Sequence, residues 1–548
     1  MAKKLYQPYK PNLDFSGLDH IVIGSGMGGL TAATWLAKAG KKVAIFERHY
    51  VPGGFTHSFK RKDGFQWDVG VHYVGNMAEG SSLRGFFDFL TNGKLEWESM
   101  GEIYDVANID GQEYLFKAGK ENFKKQLISY FPDEEKAIQT YLKLIAKANK
   151  RANAFYFEKV FEPWFSKSVG WIFRKRYSKF TQKTTWDVLS EITKNQRLIA
   201  VLCAQCGNYG LSPKHSSFGA HAMVIGHFLE GGYYPIGGAD QICEKTLEVF
   251  TAHGGKIFIN ADVTKIVIEN NKVQGIQLGQ KFISCKSVVS NVGVNNTFNH
   301  LLSEADRQLC NFSLKKVQPA SAHICLYLGL NQSSAALNLP KHNFWYYKHE
   351  NIDEIFGEAT LENAAANFAY ISFPSAKDPH WETQNPGTAT IQAISVGNME
   401  WFEAYKNSNW MKRGDEYLQL KKNFETEMLK ILYKFFPQIE GTIIASEVST
   451  PLSTENFTNY KSGEIYGLAH SPERFSLSFL RPKTKIKGLY LAGQDITLVG
   501  VAGAMLSGLL CATTILKFGS WKIFKEIKTT TINKKAKISL TQKTISLK

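Results

Sequence analysis

"HIVIGSGMGGLTAATWLAKAGKKVAIFE", residues 20–47, decides the fold. His20 to Ile23 read as a short apolar strand, and Gly24, Gly26 and Gly29 then spell G-x-G-x-x-G. Leu30, Ala33, Leu36 and Ala37 recur at helical spacing, Gly40 stops the helix, and a second strand runs from Lys42 to Phe46 and ends in Glu47. Each piece has a mechanical reason. The first glycine permits a tight turn, the second lets backbone approach a pyrophosphate, and the third lets helix pack closely on strand. The helix N-terminus offers oriented N–H groups to phosphate charge. Glu47, about twenty residues beyond the glycines, is placed to accept from a ribose hydroxyl. Ser25 and Gly28 within the loop and Arg48 after the acid complete the set of binding candidates. A Rossmann-like α/β dinucleotide unit follows.

Working outward, "PGG" places Gly53 and Gly54 shortly after Glu47, as flavoproteins do to pass the chain close to their cofactor. "DVGVHYVG" (68–75) then carries His72 and Tyr73. Near the other end, Ile496 to Leu516 is uncharged throughout, long enough to suggest a membrane span. The segment before it argues otherwise: "GLYLAGQD" (488–495) is a strand with Gly493 and Asp495 at its carboxyl end, where open α/β sheets bind ligands. Gly500, Val501 and Ala502 then open a helix rich in small residues, which suits burial against sheet and cofactor.

At 548 residues the chain exceeds one simple core, and two or three interlocked domains are expected. Hydrophobic content of 44% with 21% charged residues is ordinary for a globular protein. The net charge of +16 is partly concentrated in residues 519–548, with eight lysines against one glutamate. That tail has no periodicity and reads as disordered and solvated, or as drawn to an anionic membrane. No nucleic-acid module accompanies the charge, so nucleic acid is not an expected partner. Seven dispersed cysteines make no disulfide framework, and the lone C-x-x-C at Cys203 and Cys206 reads as core packing. His215, His221 and His227 are spaced by six and do not share a helical face, so no metal site is expected. Neither G-x-S-x-G nor H-E-x-x-H is present. The N-terminus lacks the apolar segment of a cleaved signal peptide, which points to a cytoplasmic, not secreted, protein.

The residues in "VIGSGMGGL", "PGG", "DVGVHYVG", "GNYGLSP", "GHFLEGGYYPIGGA", "SVVSNVGV", "YGLAHSPERF" and "GLYLAGQDI" resemble the FAD-dependent carotenoid and retinoid oxidoreductases. That group comprises retinol saturases, carotenoid isomerases and phytoene desaturases, and the central motifs are most similar to the saturase branch. The resemblance implies a noncovalent FAD, an apolar isoprenoid or polyene substrate, and chemistry at a carbon–carbon double bond. In the saturase direction, hydride from reduced flavin and a proton would add across that bond. It implies adenine contact at Val263, ribityl and pyrophosphate contact at Gly493 and Asp495, and flavin contact from the helix beginning at Gly500. His72 is placed near the flavin as proton donor or loop anchor; Tyr73, Trp345 and Tyr346 are placed along the substrate path. No second G-x-G-x-x-G occurs, so NAD(P)H could act only as a transient electron donor through the substrate opening.

The expected architecture is an α/β, α+β composite. Residues 17–75, 231–296 and 480–518 form a discontinuous FAD-binding domain, and 76–230 with 297–479 form a substrate-binding cap. Residues 1–16 are a flexible arm and 519–548 a disordered tail. Within the cap, residues 155–180 mix ten aromatics with six basic residues, and Pro163 and Gly170 should break them into short helices. Such a segment suits a peripheral membrane interface. Two other classes stay open. A flavin-free prenyl-binding protein of the Rab GDP-dissociation inhibitor type would share the glycine-rich start, although here the whole FAD motif set is retained. An amine oxidase acting on a polar substrate would need charged anchors that the sequence does not identify.

Overall fold

The computed structural model describes residues 5–61, 64–315, 317–520 and 524–527. Its nucleotide-side layer is a six-stranded parallel sheet in the order Gln7–Pro8, Lys256–Ile259, Val43–Phe46, His20–Ile23, Ser287–Ser290, Leu489–Leu491. The strands Val43–Phe46, His20–Ile23 and Ser287–Ser290 are buried along their whole length, as parallel strands covered on both faces must be. The glycine-motif helix Met27–Lys38 lies between two others, Asp240–Ala252 and Gly500–Leu516. A three-stranded antiparallel sheet (Lys265–Glu269, Lys272–Leu278, Lys281–Ser284) is inserted after the fourth strand in chain order.

The described part of the expected flexible arm, residues 5–16, is packed on the sheet. Gln7–Pro8 extends the parallel sheet beside Lys256–Ile259, and Phe15 is buried against Phe46 and Phe258. An apolar ring over an exposed sheet edge outweighs the polar composition of that segment.

The second layer is a seven-stranded sheet in the order Ile443–Ser449, Ala322–Leu330, Ala389–Gly397, Phe368–Ser372, Asn343–Tyr347, Ile103–Ile109, Gln112–Lys117. Its strands come from both expected cap segments, and it is antiparallel except where Asn343–Tyr347 runs parallel to Ile103–Ile109. One face packs on the helix Asp415–Phe435; the other turns toward the nucleotide-side layer. The expected segment boundaries near 75 and 231 cut through a small sheet, because Gly232–Pro235 pairs with both Val74–Gly75 and Trp97–Ser99. The expected FAD-binding and cap segments are therefore joined there by strand hydrogen bonds.

No described helix is long and apolar enough to cross a membrane. The uncharged C-terminal run is the helix Gly500–Leu516, and its residues from Met505 to Thr514 are largely buried. Of the tail, only 519–520 and 524–527 lie among the described residues. Within it Phe524 packs at a tilt against Trp35 and Ile527 is buried, so a disordered tail does not begin at 519; the rest of that expectation lies outside the described residues. Residues 155–180 break where Pro163 and Gly170 dictate, into the end of Glu135–Glu158, Pro163–Ser168 and Gly170–Thr181. Phe155, Tyr156 and Tyr177 point into the core, whereas Phe157, Phe161, Val169 and Trp171 are exposed.

Candidate functional site

A cavity of about 410 Å³ runs between the two layers. It begins at Glu47, Arg48 and Val263, follows the glycine loop through Gly24, Gly26 and Gly28, and continues past Gly54 and Gly493 to Gly500 and Val501. It ends in an aromatic recess bounded by Trp345, Phe356, Phe368 and Tyr370.

The glycine loop sits at the carboxyl ends of the parallel strands, and its sequence leaves no room for side chains. A Cβ on Gly28 would lie 2.5 Å from Asn291 Oδ1 and 2.7 Å from the Gly493 amide nitrogen. The motif thus brings three chain segments, around 28, 291 and 493, to backbone contact. Two helices open into the cavity there, at Met27 and Gly500. Neither has a side-chain cap or an acidic residue in its first turn. Their N–H groups and partial positive charge are free for a ligand. Glu47 closes the far end: one oxygen accepts from the Ser25 amide at 2.7 Å and hydroxyl at 2.6 Å, the other from the His49 amide at 2.8 Å. Ser25 also accepts from the Gly53 amide at 3.0 Å, tying the second glycine pair to the first loop.

This donor set fits FAD. A glycine cradle with an uncapped helix suits the pyrophosphate, and a buried carboxylate at the end of the second strand suits a ribose. A second uncapped helix faces the place where polar ring oxygens would lie.

Of the sequence-derived candidates, Gly24, Gly26, Gly28, Glu47, Arg48, Gly54, Val263, Gly493, Asp495, Gly500, Val501, His72 and Trp345 line the cavity. Ser25, Gly29, Gly53 and Ala502 stand behind its wall and shape it. Asp495 works as a staple: its two oxygens accept the backbone amides of Leu468 and Val294, each at 2.8 Å.

Tyr73 and Tyr346 do not line it. Tyr73 stacks on Phe228 with ring centroids 4.1 Å apart, and its hydroxyl donates to buried Asp105 at 2.9 Å. Tyr346 lies on the opposite face of its strand from Trp345 and packs on Phe435, because strand side chains alternate. The residue that does share the recess is Tyr370, the cross-strand partner of Trp345. The candidate set omits Tyr370, His323, Asn291 and Tyr466; Asn291 and Tyr466 lie within the quoted motifs "SVVSNVGV" and "YGLAHSPERF", whereas strand pairing alone places Tyr370 and His323.

His72 is half-buried in the cavity wall. Burial, then the nearby Lys377 charge and His323, push its pKa down to about 3. It is neutral at physiological pH and is no ready source of a proton as imidazolium. The three evenly spaced histidines part company: His221 sits between Tyr141 and Tyr209, His227 accepts the Gly75 amide at 2.8 Å, and His215 bonds Ser212.

The model of the family described as flavin containing amine oxidoreductase matches residues 27–516. The chain is 33% identical to an all-trans-retinol 13,14-reductase of Danio rerio, over 91% of this chain and 86% of that protein. It is 25% identical to a chloroplastic prolycopene isomerase of an Oncidium hybrid cultivar, over 90% of this chain and 83% of that one. Among solved structures, cyclohexylamine oxidase from Brevibacterium oxydans superposes with a TM-score of 0.59 at 14% identity, covering 92% of this chain and 99% of that one.

Proposed function

The chain belongs to the flavin containing amine oxidoreductase family, and on that premise we propose that it reduces a carbon–carbon double bond of an apolar isoprenoid, a retinoid or carotenoid. It is an FAD-dependent oxidoreductase, and the bound FAD supplies hydride chemistry at that bond. The observation that carries the substrate reading is the aromatic recess at the end of the cofactor wall, closed by Trp345, Phe356, Phe368 and Tyr370.

The protein's own residues do the rest. Gly24 to Gly28, Glu47 and the helix at Gly500 hold the cofactor, and the recess orients a polyene and keeps water from it. The acids that line the cavity are already engaged. Of the acids among the described residues that line the cavity, Glu47 is bonded to Ser25 and His49, and Asp495 to two amides. Glu447 is paired with Arg61 at 2.6 Å and Asp262 with Arg48 at 3.8 Å.

Anaerobic incubation of the reduced holoenzyme with all-trans-retinol and with a carotene, followed by mass spectrometry, tests the reading. A gain of two hydrogens supports it. A loss of two in a parallel incubation with the oxidised holoenzyme, or an isobaric product with the reduced one, reassigns the enzyme as a desaturase or an isomerase. NAD(P)H is proposed only as a transient donor.

Peripheral attachment at a cytoplasmic membrane face belongs to the same proposal. Phe157 and Trp171 are about half exposed, Phe161 packs edge-on against Phe157 at 5.5 Å, and Lys175 lies 5.8 Å from the Trp171 ring. Aromatic rings flanked by cations suit a headgroup boundary. Sedimentation with anionic vesicles that persists unchanged in a Phe157→Asp, Trp171→Asp variant would rule this surface out.

A further inference from the structure

Lys377 is wholly buried at the end of the one-turn helix Pro374–Lys377, which follows the strand Phe368–Ser372. Its ammonium donates to the His72 carbonyl at 3.0 Å, to Ser372 Oγ at 2.8 Å and to Asn343 Oδ1. Asn343 passes the connection on, its Nδ2 donating to Asp105 Oδ1 at 2.9 Å. Asn343 and Asp105 stand opposite each other in the register of their parallel strands. The second oxygen of Asp105 accepts from Tyr73 Oη at 2.9 Å and Gln205 Nε2 at 2.6 Å. One network therefore starts at the backbone of residue 72 and ends on the side chain of residue 73. These are consecutive residues, and His72 faces the cavity.

We propose that Lys377, Asn343 and Asp105 form a clamp that positions His72 in the cavity wall and is tightest while Lys377 is a cation and Asp105 an anion. An ammonium donates three charge-assisted hydrogen bonds to the three oxygens here; a neutral amine has two N–H bonds, holds the carbonyl and amide oxygens more weakly, and keeps Ser372 only if that hydroxyl turns to donate. At the other end, Asp105 faces three donors, from Tyr73, Gln205 and Asn343. A protonated carboxyl would bring a fourth proton with no acceptor before it.

The surroundings bring both changes near neutrality. Burial pulls Lys377 down to about 7, opposed by the charges of Asp105 and Asp68. Burial pushes Asp105 up to about 6, opposed by bonds from Asn343, Gln205 and Tyr73. His72 and His342 also feel the Lys377 charge, the Tyr234 ring lies 5.9 Å from its nitrogen, and Tyr104 and Tyr370 face Asp105. The cation is lost as pH rises through the Lys377 value, and the anion is lost as pH falls through that of Asp105. The clamp is tightest between them.

Lys377 is thus a positioning residue. Its link to catalysis rests on the function proposed above; the clamp itself does not. The test is hydrogen exchange on the FAD-loaded enzyme, read at residues 69–75 against the central strand His20–Ile23 and corrected for intrinsic exchange rates. Wild type should lose roughly tenfold protection at 69–75 between about pH 6.5 and 8.5, the scale set by one charge-assisted hydrogen bond, while the control strand is unmoved. Lys377→Arg, charged throughout, should keep its protection at the higher pH. Lys377→Met should be poorly protected at both. With a turned-over substrate, kcat should fall along the same upper limb in wild type and not in Lys377→Arg. Equal wild-type protection at the two pH values, or an equal loss in Lys377→Arg, overturns the clamp whatever the substrate proves to be.

Discussion

Gly508 sits directly against Gly28: a Cβ on Gly508 would lie 2.2 Å from the Gly28 carbonyl oxygen, so the C-terminal helix crosses the glycine-motif helix at backbone contact. The same motif glycine packs its other side on Gly493. Small residues in the last helix are therefore a condition of closing the cofactor site. Gly508→Val should destabilise the protein by about 1–3 kcal/mol through overpacking and should lower its flavin content. Chemical denaturation and the flavin-to-protein absorbance ratio check both. Full flavin retention with an unchanged midpoint would refute the crossing.

Glu47→Gln keeps the shape of the side chain but replaces one acceptor oxygen with a donor. That group would face either the two Ser25 donors or the His49 amide. A hydrogen bond to a charged group contributes about 1.5–3 kcal/mol, so FAD affinity should fall by roughly 10- to 100-fold. Titration of the apoprotein with FAD, followed by flavin fluorescence, measures it.

Asp495→Asn leaves the Leu468 or the Val294 amide opposite an NH₂ group. An unsatisfied buried donor costs about 1–3 kcal/mol. The urea midpoint should drop accordingly, and Asp495→Glu, too long for the same staple, should not restore it.

Trp345→Ala enlarges the recess without touching the cofactor wall. The preference between a retinoid and a longer carotenoid, expressed as the ratio of kcat/KM values, should shift toward the longer chain by about tenfold or more. Flavin content should stay at the wild-type level. An unchanged ratio would place the substrate elsewhere.

Acid should unfold the protein through its buried histidines. Burial lowers His20, His227 and His323 to about 4. Because each stays neutral in the fold and protonates first in the unfolded chain, its contribution is complete above about pH 6.5 and is lost as pH falls toward 4. At pH 5 each should cost about 2 kcal/mol. Urea midpoints at pH 7.5 and 5 test this, and His227→Asn, which removes one such group, should narrow the gap.

The nucleotide unit was legible because its signal is local. Strand, glycines, helix, strand and Glu47 lie within residues 20–47, and the structure keeps that order with the cavity at the expected strand ends. The C-terminal helix was also legible, since Gly493 and Asp495 precede it at a strand end. The recess was only half legible. Trp345 was identified and Tyr346 misplaced, because a run of aromatics does not reveal which of two alternating faces meets the cavity.

Sequence alone therefore determined the cofactor and the Rossmann-like unit, since each depends on residues close in the chain or on motifs with a fixed mechanical purpose. Tertiary structure alone decided what surrounds the reacting end. Asp105, Asn343 and Lys377 carry no motif and come from three separate segments, and only the sheet register that sets Asn343 opposite Asp105 makes them one network. The physical reason is burial. A lone charged side chain cannot be held in a core, so the fold must bring distant partners to it, and which partners arrive is fixed by strand order rather than by neighbours in the chain.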